Sequence, residues 1–181
     1  FAHAYTARAM GVRVPTMGVA FLVLWPVLYT DVTDSWRLTD RKQRIMISSA
    51  GIIAEMVLAG FAMCLWSNTA PGIINSACFL VASSSLINTL FINANPAMRY
   101  DGYYILMDVW GIDHLQQKTF SLARWQIREW LFGFGLPCPE VADKKQRSAL
   151  IVFAIYTILY RLVVYTTVAV FVYYKFTKAL G

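Results

Sequence analysis

Long apolar runs alternate with short polar segments along this chain, and the runs have the length of membrane-spanning helices. Ile45–Trp66 holds 22 residues and Ile73–Ile92 holds 20, where a helix needs about 20 apolar residues to cross a bilayer. The polar residues 67–72 between them include Pro and Gly, so the two helices are predicted to form an antiparallel hairpin. A third long run, Ser148–Phe176, is interrupted by Arg161 and is predicted to span with tilt.

A shorter apolar stretch near residues 14–34 has a different pattern. Met17–Tyr29 is too short to cross a bilayer, contains Pro26, and is rich in Val, Leu, Phe and Tyr. Such a stretch favours strands that lie at the membrane surface or dip into it. The predicted fold class is therefore mainly α: a polytopic membrane helix bundle with a short re-entrant or interfacial β segment near residues 14–34.

We expect a single membrane-embedded core over residues 1–181. Its predicted parts are the end of a helix at 1–11, a re-entrant or interfacial segment at 12–44, membrane helices at 45–66, 71–93 and 148–176, and a loop with interfacial helices at 94–147. Within that loop region, Gln117–Phe132 interleaves aromatic with basic residues, which is typical of an amphipathic helix on the membrane plane.

Composition narrows the class of protein. Hydrophobic residues make up 58% of the chain and charged residues only 14%, which is unusual for a soluble domain. The net charge of +6 comes from basic residues beside apolar runs, as in the cytoplasmic flanks of membrane helices, so a lipid bilayer and no nucleic acid is expected as partner. Cys64, Cys78 and Cys138 form no CxxC pair, which argues against a disulfide framework and a Cys-based zinc site.

The segment after the second span, Asn93–Gly102, carries the first candidate chemistry. It combines two amides, a helix-breaking proline and a carboxylate at the end of a membrane helix. An interrupted backbone at membrane depth survives only where protein or a water-filled cavity surrounds it, and Asp101 in such a cavity is able to ligate a metal. From the residues alone a plainer alternative stays open, in which Asn95-Pro96 stops one helix and Asp101 caps the next.

The second candidate lies at the beginning of the chain. The chain opens at Phe1 in a helix-like stretch without a cap, and we expect the natural protein to continue upstream. If His-Glu preceded Phe1, His3 would be the second histidine of an HExxH motif, in which histidines four residues apart on one helix face reach a single Zn²⁺. An interfacial histidine is the alternative for His3. His114 is predicted to be a surface histidine and not a third ligand.

Together these residues resemble the site-2 proteases, a family of intramembrane zinc metalloproteases. The chain matches the family signature NxxPxxxxDG, with Asn93, Pro96, Asp101 and Gly102 in its four fixed places. The resemblance implies Zn²⁺ as cofactor, His3 and Asp101 as metal ligands, and Asn93 as a catalytic residue that holds the substrate or stabilises the oxyanion.

Other segments resemble one branch of that family, bacterial membrane peptide zinc metalloproteases that accompany export systems with a HlyD-like adaptor. The matching segments are Gly11–Pro15, Met17–Val19, Tyr29–Asp34, Ser49–Gly51 and Arg99–Tyr104. The resemblance implies a multi-pass protein of the bacterial inner membrane that hydrolyses peptide bonds in a peptide or membrane-protein substrate, with such an adaptor as a further partner. The first His and the Glu of the motif are absent from this chain, so we expect this chain alone to bind zinc weakly and not to hydrolyse peptides.

Two other functions stay open. The chain could be a non-catalytic membrane component of a peptide export assembly, which keeps the fold without the protease activity. It could also be a transporter segment whose broken helix at Asn95-Pro96 lines a substrate site. A transporter of that kind is expected to have two related halves, and the sequence contains no internal repeat.

Glu55 is the one charge within the first span. A charge near the middle of a membrane helix costs about 2.5–3.5 kcal/mol on the insertion scale, so a partner or a proton is expected. The candidate partner is Arg161 in the last span. The face of the helix that carries Glu55 also carries small residues and is predicted to pack against another helix; these residues are Ser48, Gly51 and Ala59.

Overall fold

The computed structural model describes residues 1–22, 25–139 and 144–180. It confirms the predicted fold class, because the described chain is mainly helical with one small two-stranded sheet. Within these ranges, three helices are long and apolar enough to cross a membrane. Residues 23–24 of the predicted re-entrant segment and residues 140–143 of the predicted loop region lie outside the described residues. The chain divides into two compact units, Phe1–Gly111 and Ile112–Gly181, where the sequence predicted one core.

The described residues of the first unit form four α-helices, two strands and two shorter helical turns. In chain order these are α1 (Ala2–Ala9), β1 (Met17–Leu22), β2 (Trp25–Thr30), a 3-10 turn (Thr33–Arg37), α2 (Arg41–Asn68), α3 (Ile73–Ile87), a π-helical turn (Asn88–Asn93) and α4 (Asp101–Trp110). The predicted spans 45–66 and 71–93 correspond to α2 and to α3 with its π-helical turn. β1 and β2 pair in antiparallel register, with Met17 opposite Thr30, so strands do form near residues 14–34.

The ends of α2 follow from local hydrogen bonds. Asp40 precedes the helix and accepts a hydrogen bond from the backbone N–H of Lys42 at 2.9 Å, as an N-cap residue does. At the other end, the Asn75 amide donates to the carbonyl oxygens of Trp66 at 2.7 Å and Thr69 at 3.1 Å. These bonds close the short connection between α2 and α3, and the predicted helical hairpin is confirmed.

The core of the first unit lies between α1 and α2. Ala7, Val12 and Ile47 are buried there, and the partly buried side chains that pack against them are Met10, Val14, Val32 and Leu38. By contrast, large apolar side chains elsewhere on the long helices are exposed, for example Phe61 at 69% and Leu80 at 65%. Helices that are apolar around most of their circumference are stable in a bilayer, where those side chains contact lipid.

The second unit consists of α5 (Leu115–Phe132) and α6 (Lys144–Leu180). α5 covers the predicted amphipathic helix 117–132, with Leu122 buried and Trp130 exposed at 81%. The Trp125 indole donates a hydrogen bond to the Leu136 carbonyl at 2.9 Å. α6 contains the third candidate span and is longer at both ends than the predicted 148–176.

The turn between the π-helical turn and α4 requires a glycine at position 102. A Cβ on Gly102 would lie 2.2 Å from the Ala94 carbonyl oxygen and 2.4 Å from the Ala94 carbonyl carbon, both of them backbone atoms. Residues 94–100 therefore fold back so closely on α4 that no side chain fits between the two backbones. This close approach is a physical reason for the Gly that follows Asp101.

We predict that Gly102→Ala destabilises the first unit by about 1–3 kcal/mol, the usual cost of overpacking a tight contact. The thermal unfolding midpoint in detergent measures the effect. Gly72→Ala is the matched control, because the nearest atom to a Cβ at Gly72 is 3.9 Å away. Equal midpoints for the two variants would contradict the proposed close packing.

Candidate metal centre

His3 and Asp101 lie 98 positions apart in the sequence and meet in the folded first unit. The Nε2 atom of His3 is 3.2 Å from Oδ2 of Asp101, and the two side chains are 27% and 23% exposed. Two ligands that each lie about 2.0–2.1 Å from one Zn²⁺ at a tetrahedral angle are about 3.3 Å from each other. The separation of the two atoms is therefore that of two ligands of one zinc ion, although metal binding itself stays a prediction.

The orientation of the His3 ring is fixed by α2. Its Nδ1 atom is 2.8 Å from the Ile47 carbonyl oxygen, and because a carbonyl only accepts, Nδ1 must carry the hydrogen. In the neutral ring Nε2 then presents a lone pair toward the Asp101 carboxylate. Metal-binding histidines are commonly oriented in this way, with the other ring nitrogen donating to a backbone carbonyl.

The Nε2 lone pair of His3 and the Asp101 carboxylate would repel each other at this distance unless a cation lay between them. A proton is one such cation: the hydrogen bond to the Asp101 carboxylate raises the pKa of His3, while burial of the ring opposes part of that rise. A metal ion is the other. The pair alone is consistent with either, as an ion pair or as two ligands.

Gly51 provides the space in which the two side chains meet. A Cβ built on Gly51 would lie 2.4 Å from Nε2 of His3 and 2.5 Å from Oδ2 of Asp101. Sequence analysis predicted helix packing for Gly51 and included it in the resemblance, but did not predict this steric role. Since Gly51 follows Ile47 by four residues, both lie on the same face of α2, and that face borders the His3–Asp101 pair.

Asp101 reaches this position because α4 begins with it. The N-cap of α4 is Tyr100, and Asp101 is the first helical residue, so the alternative in which Asp101 caps the helix is wrong. Upstream, the Asn95 side chain accepts a hydrogen bond from the Ala97 backbone N–H at 2.9 Å. That bond stabilises the turn after Pro96 and agrees with the expected helix-ending turn.

Glu55 accepts hydrogen bonds from three side chains of the π-helical turn. Its Oε1 receives the Asn88 amide at 3.0 Å, its Oε2 receives the Thr89 hydroxyl at 2.6 Å, and the Asn93 amide nitrogen is 2.9 Å from both oxygens. These partners belong to its own unit, and Arg161 in the second unit donates to Gln116 at 3.0 Å. The expected pair of Glu55 with Arg161 would join the two units and stays a prediction.

A cavity of about 300 Å³ adjoins the His3–Asp101 pair. Its wall includes Thr30 and Asp31 at the end of β2, and Tyr104 on α4. Another part of the wall is the ion pair of Arg44 with Asp108, in which Nε and Oδ1 are 2.8 Å apart but are not aligned as a hydrogen bond. The Asp108 side chain is only 6% exposed. Its negative charge in the cavity wall is largely neutralised by the positive charge of Arg44.

The site residues predicted from the sequence therefore lie at two separate places in the first unit. His3 and Asp101 come together, whereas Asn93 donates its amide to Glu55, and its catalytic role stays a prediction. His114 is exposed, as expected for a surface histidine. The predicted packing of the small-residue face of α2 is confirmed by Gly51 and by Ala59, which is 2% exposed.

Within the described ranges, no group of three or more His, Cys, Asp or Glu side chains lies close enough to hold a metal ion. The described residues therefore supply two candidate ligands. Comparison with protein-family models, with curated proteins and with solved structures finds no match to this chain. The His3–Asp101 pair is consequently the one feature of the described residues that suggests a metal centre.

We predict that Gly51→Ala lowers zinc affinity by at least about tenfold, the usual effect of disturbing a residue that orders metal ligands. The added methyl group would occupy the space needed by both ligand atoms. The apoprotein should remain folded, because free side chains can turn away and Ala favours a helix over Gly by about 0.5–1 kcal/mol. Zinc titration of the full-length protein, together with its unfolding midpoint, measures both effects.

Gly60→Ala is the matched control for that variant. Gly60 lies on the same helix, and a Cβ there would meet nothing within 4 Å. It should gain the same helix propensity and keep its zinc affinity. If the two variants bound zinc equally, Gly51 would have no role at a metal centre.

Proposed function

We propose that this chain forms part of the membrane-embedded core of an intramembrane zinc endopeptidase of the site-2 protease type. The observation that carries the proposal is the His3–Asp101 pair. The two residues that the motif assigns to one metal have ligand atoms 3.2 Å apart, and His3 is oriented by the Ile47 carbonyl. A histidine whose other ring nitrogen donates to a backbone carbonyl is the arrangement commonly found for metal ligands, and it supports the proposal.

In this proposal His3 and Asp101 are two of the three protein ligands of a catalytic zinc ion. The proposal further needs a third ligand and a general base, which in the resembled family are the first His and the Glu of an HExxH motif. A bound zinc ion lowers the pKa of a water molecule to about 7 and polarises the substrate carbonyl. The Ile47 carbonyl keeps the hydrogen of His3 on Nδ1, so that Nε2 stays available to the metal.

The cavity beside the pair is the proposed place of the scissile peptide. The substrate backbone must be extended there, because the N–H and C=O groups of a helix are already hydrogen-bonded to each other. The β1–β2 hairpin ends at this cavity, with Thr30 and Asp31 in its wall. An extended substrate segment could add to the edge of such a hairpin, which would keep it unwound.

Location and partners follow from the same proposal. The substrate is a peptide or a membrane protein, and the protein is a multi-pass component of the bacterial inner membrane, with a HlyD-like export adaptor as a further partner. The three apolar helices support a membrane location.

A second candidate function is a non-catalytic membrane component of a peptide export assembly. Two observations favour it: the described residues supply only two ligands, and the carboxylate of Asp101 raises the pKa of His3, as in a proton-bridged ion pair. In that protein the His3–Asp101 contact would be structural and no zinc would be bound.

We predict that His3→Ala and Asp101→Asn in the full-length protein reduce zinc affinity by more than about 100-fold, since ligands matter more than the residues that orient them. Cleavage of a membrane-helix substrate in liposomes should be lost with the zinc. His114→Ala and Asp113→Asn are matched controls, because both residues are exposed and lie outside the pair. Full-length protein that binds no zinc would favour the export component.

We also predict that the chain 1–181 by itself binds zinc weakly and does not cleave peptides. The reason is that a catalytic zinc site uses three protein ligands, of which this chain supplies His3 and Asp101. Equilibrium dialysis against zinc and a peptidase assay on the purified chain measure both properties. A zinc-dependent peptidase signal from this chain would contradict the assignment of the ligands.

A further inference from the structure

Glu55, which is partly buried, accepts several hydrogen bonds from one neighbouring segment. Four donor contacts of 2.6–3.0 Å reach its two carboxylate oxygens. An ionised carboxylate only accepts hydrogen bonds, and its two oxygens have about four sites for them. All four contacts come from one short segment of chain, the π-helical turn Asn88–Asn93.

The π-helical form of that turn is what brings its donors together. In an α-helix two positions five residues apart are turned about 140° from each other, so Asn88 and Asn93 would not reach one carboxylate. In a π-helical turn the hydrogen bonds run between residues five apart, which brings such positions onto one side. Glu55 thus contacts both ends of the turn, and Thr89 between them is 1% exposed.

A continuous set of close contacts connects this turn with Asp101. The Ala94 backbone N–H donates to the Thr89 carbonyl at 2.8 Å. The Ala94 carbonyl in turn lies against Gly102, next to Asp101 at the start of α4. A change in the shape of the π-helical turn would therefore move the position from which Asp101 reaches His3.

We propose that Glu55 is a positioning residue of the metal centre. Through Asn88, Thr89 and Asn93 it holds the π-helical turn in shape, and the turn sets where Asp101 meets His3. An effect of Glu55 on zinc binding and catalysis rests on the proposed function, the zinc endopeptidase. The structural content of the proposal, that Glu55 controls the approach of Asp101 to His3, is testable without metal or activity.

The first test uses Glu55→Gln in the full-length protein. In either orientation the Gln amide would turn its NH2 donor toward the Asn93 amide, which contacts both oxygens of Glu55, so the turn should relax. Zinc affinity should fall by about 10- to 100-fold, as for other residues that orient metal ligands, and the absorption spectrum of the Co²⁺-substituted protein should change. Unaltered zinc affinity and an unaltered Co²⁺ spectrum would overturn the proposal.

Two control variants separate positioning from general destabilisation. Ala59→Gly changes a buried residue one turn further along the same face of α2, and it should lower the unfolding midpoint while zinc affinity stays unchanged. Glu129→Gln removes the same charge in the second unit, where the carboxylate accepts from the Gly135 N–H at 3.0 Å, and should leave zinc affinity unchanged. A loss of zinc affinity in Ala59→Gly that matched the loss in Glu55→Gln would overturn the positioning role.

Exchanging the interacting groups tests the contact itself. In the double variant Glu55→Gln with Asn93→Asp, the amide and the carboxylate are interchanged and their hydrogen bond can form again. Zinc affinity should recover above that of Glu55→Gln alone. No recovery would show that the contact with Asn93 does not carry the effect.

A crosslinking experiment keeps the proposal separate from the proposed function. His3→Cys and Asp101→Cys are introduced into a variant whose native cysteines are replaced by serine, and the pair is joined with a short bifunctional thiol reagent. Glu55→Gln should lower the crosslinking yield, whether or not the protein binds zinc or cleaves peptides. Equal yields with Glu55 and Gln at this position would overturn the proposal, whereas wild-type protein without zinc or activity would overturn only the proposed function.

Discussion

The arrangement of the first unit depends on one face of α2. Ile47, Gly51 and Glu55 follow each other at intervals of four residues and therefore lie on one side of the helix, about 6 Å apart along its axis. The first orients His3 through its carbonyl, the second leaves space for the His3–Asp101 pair, and the third holds the π-helical turn. A rotation of α2 about its axis would disturb all three contacts together.

That constraint explains why some residues of α2 are poor choices for a membrane helix. A glycine in a helix costs about 0.5–1 kcal/mol relative to alanine, and a mid-membrane carboxylate costs about 2.5–3.5 kcal/mol on the insertion scale. Gly51 and Glu55 carry these costs at successive turns of α2. Gly51 lies next to His3 and Asp101, and Glu55 contacts the π-helical turn that precedes Asp101 in the chain. Costs of this kind at adjacent positions are typical of functional sites, where positioning is retained at the expense of stability.

Sequence reasoning predicted the spans and the hairpin, because long apolar runs and turn residues are local signals. The approach of His3 to Asp101 was expected only from the resemblance to a family. Sequence reasoning missed the partners of Glu55. Asn88 and Asn93 are five positions apart, and an α-helical spacing rule places them on different sides of the helix; only the π-helical turn brings them together. It also missed the reason for Gly51, since the need for space there arises from side chains that are distant in sequence and is visible only in the tertiary structure.

Gly51 limits how the His3 and Asp101 side chains can be placed. A proton-bridged pair tolerates small rotations of both side chains, because a single hydrogen bond constrains only two atoms. Ligands of a metal have less freedom, since their distances are fixed within about 0.2 Å and further ligands fix the angles. A methyl group on residue 51 would lie 2.4 Å from Nε2 and 2.5 Å from Oδ2, so both arrangements need this space, and metal ligands have less freedom to move out of the way. If the proposed zinc ion is bound, this glycine and the oriented imidazole would therefore keep its two ligands in place.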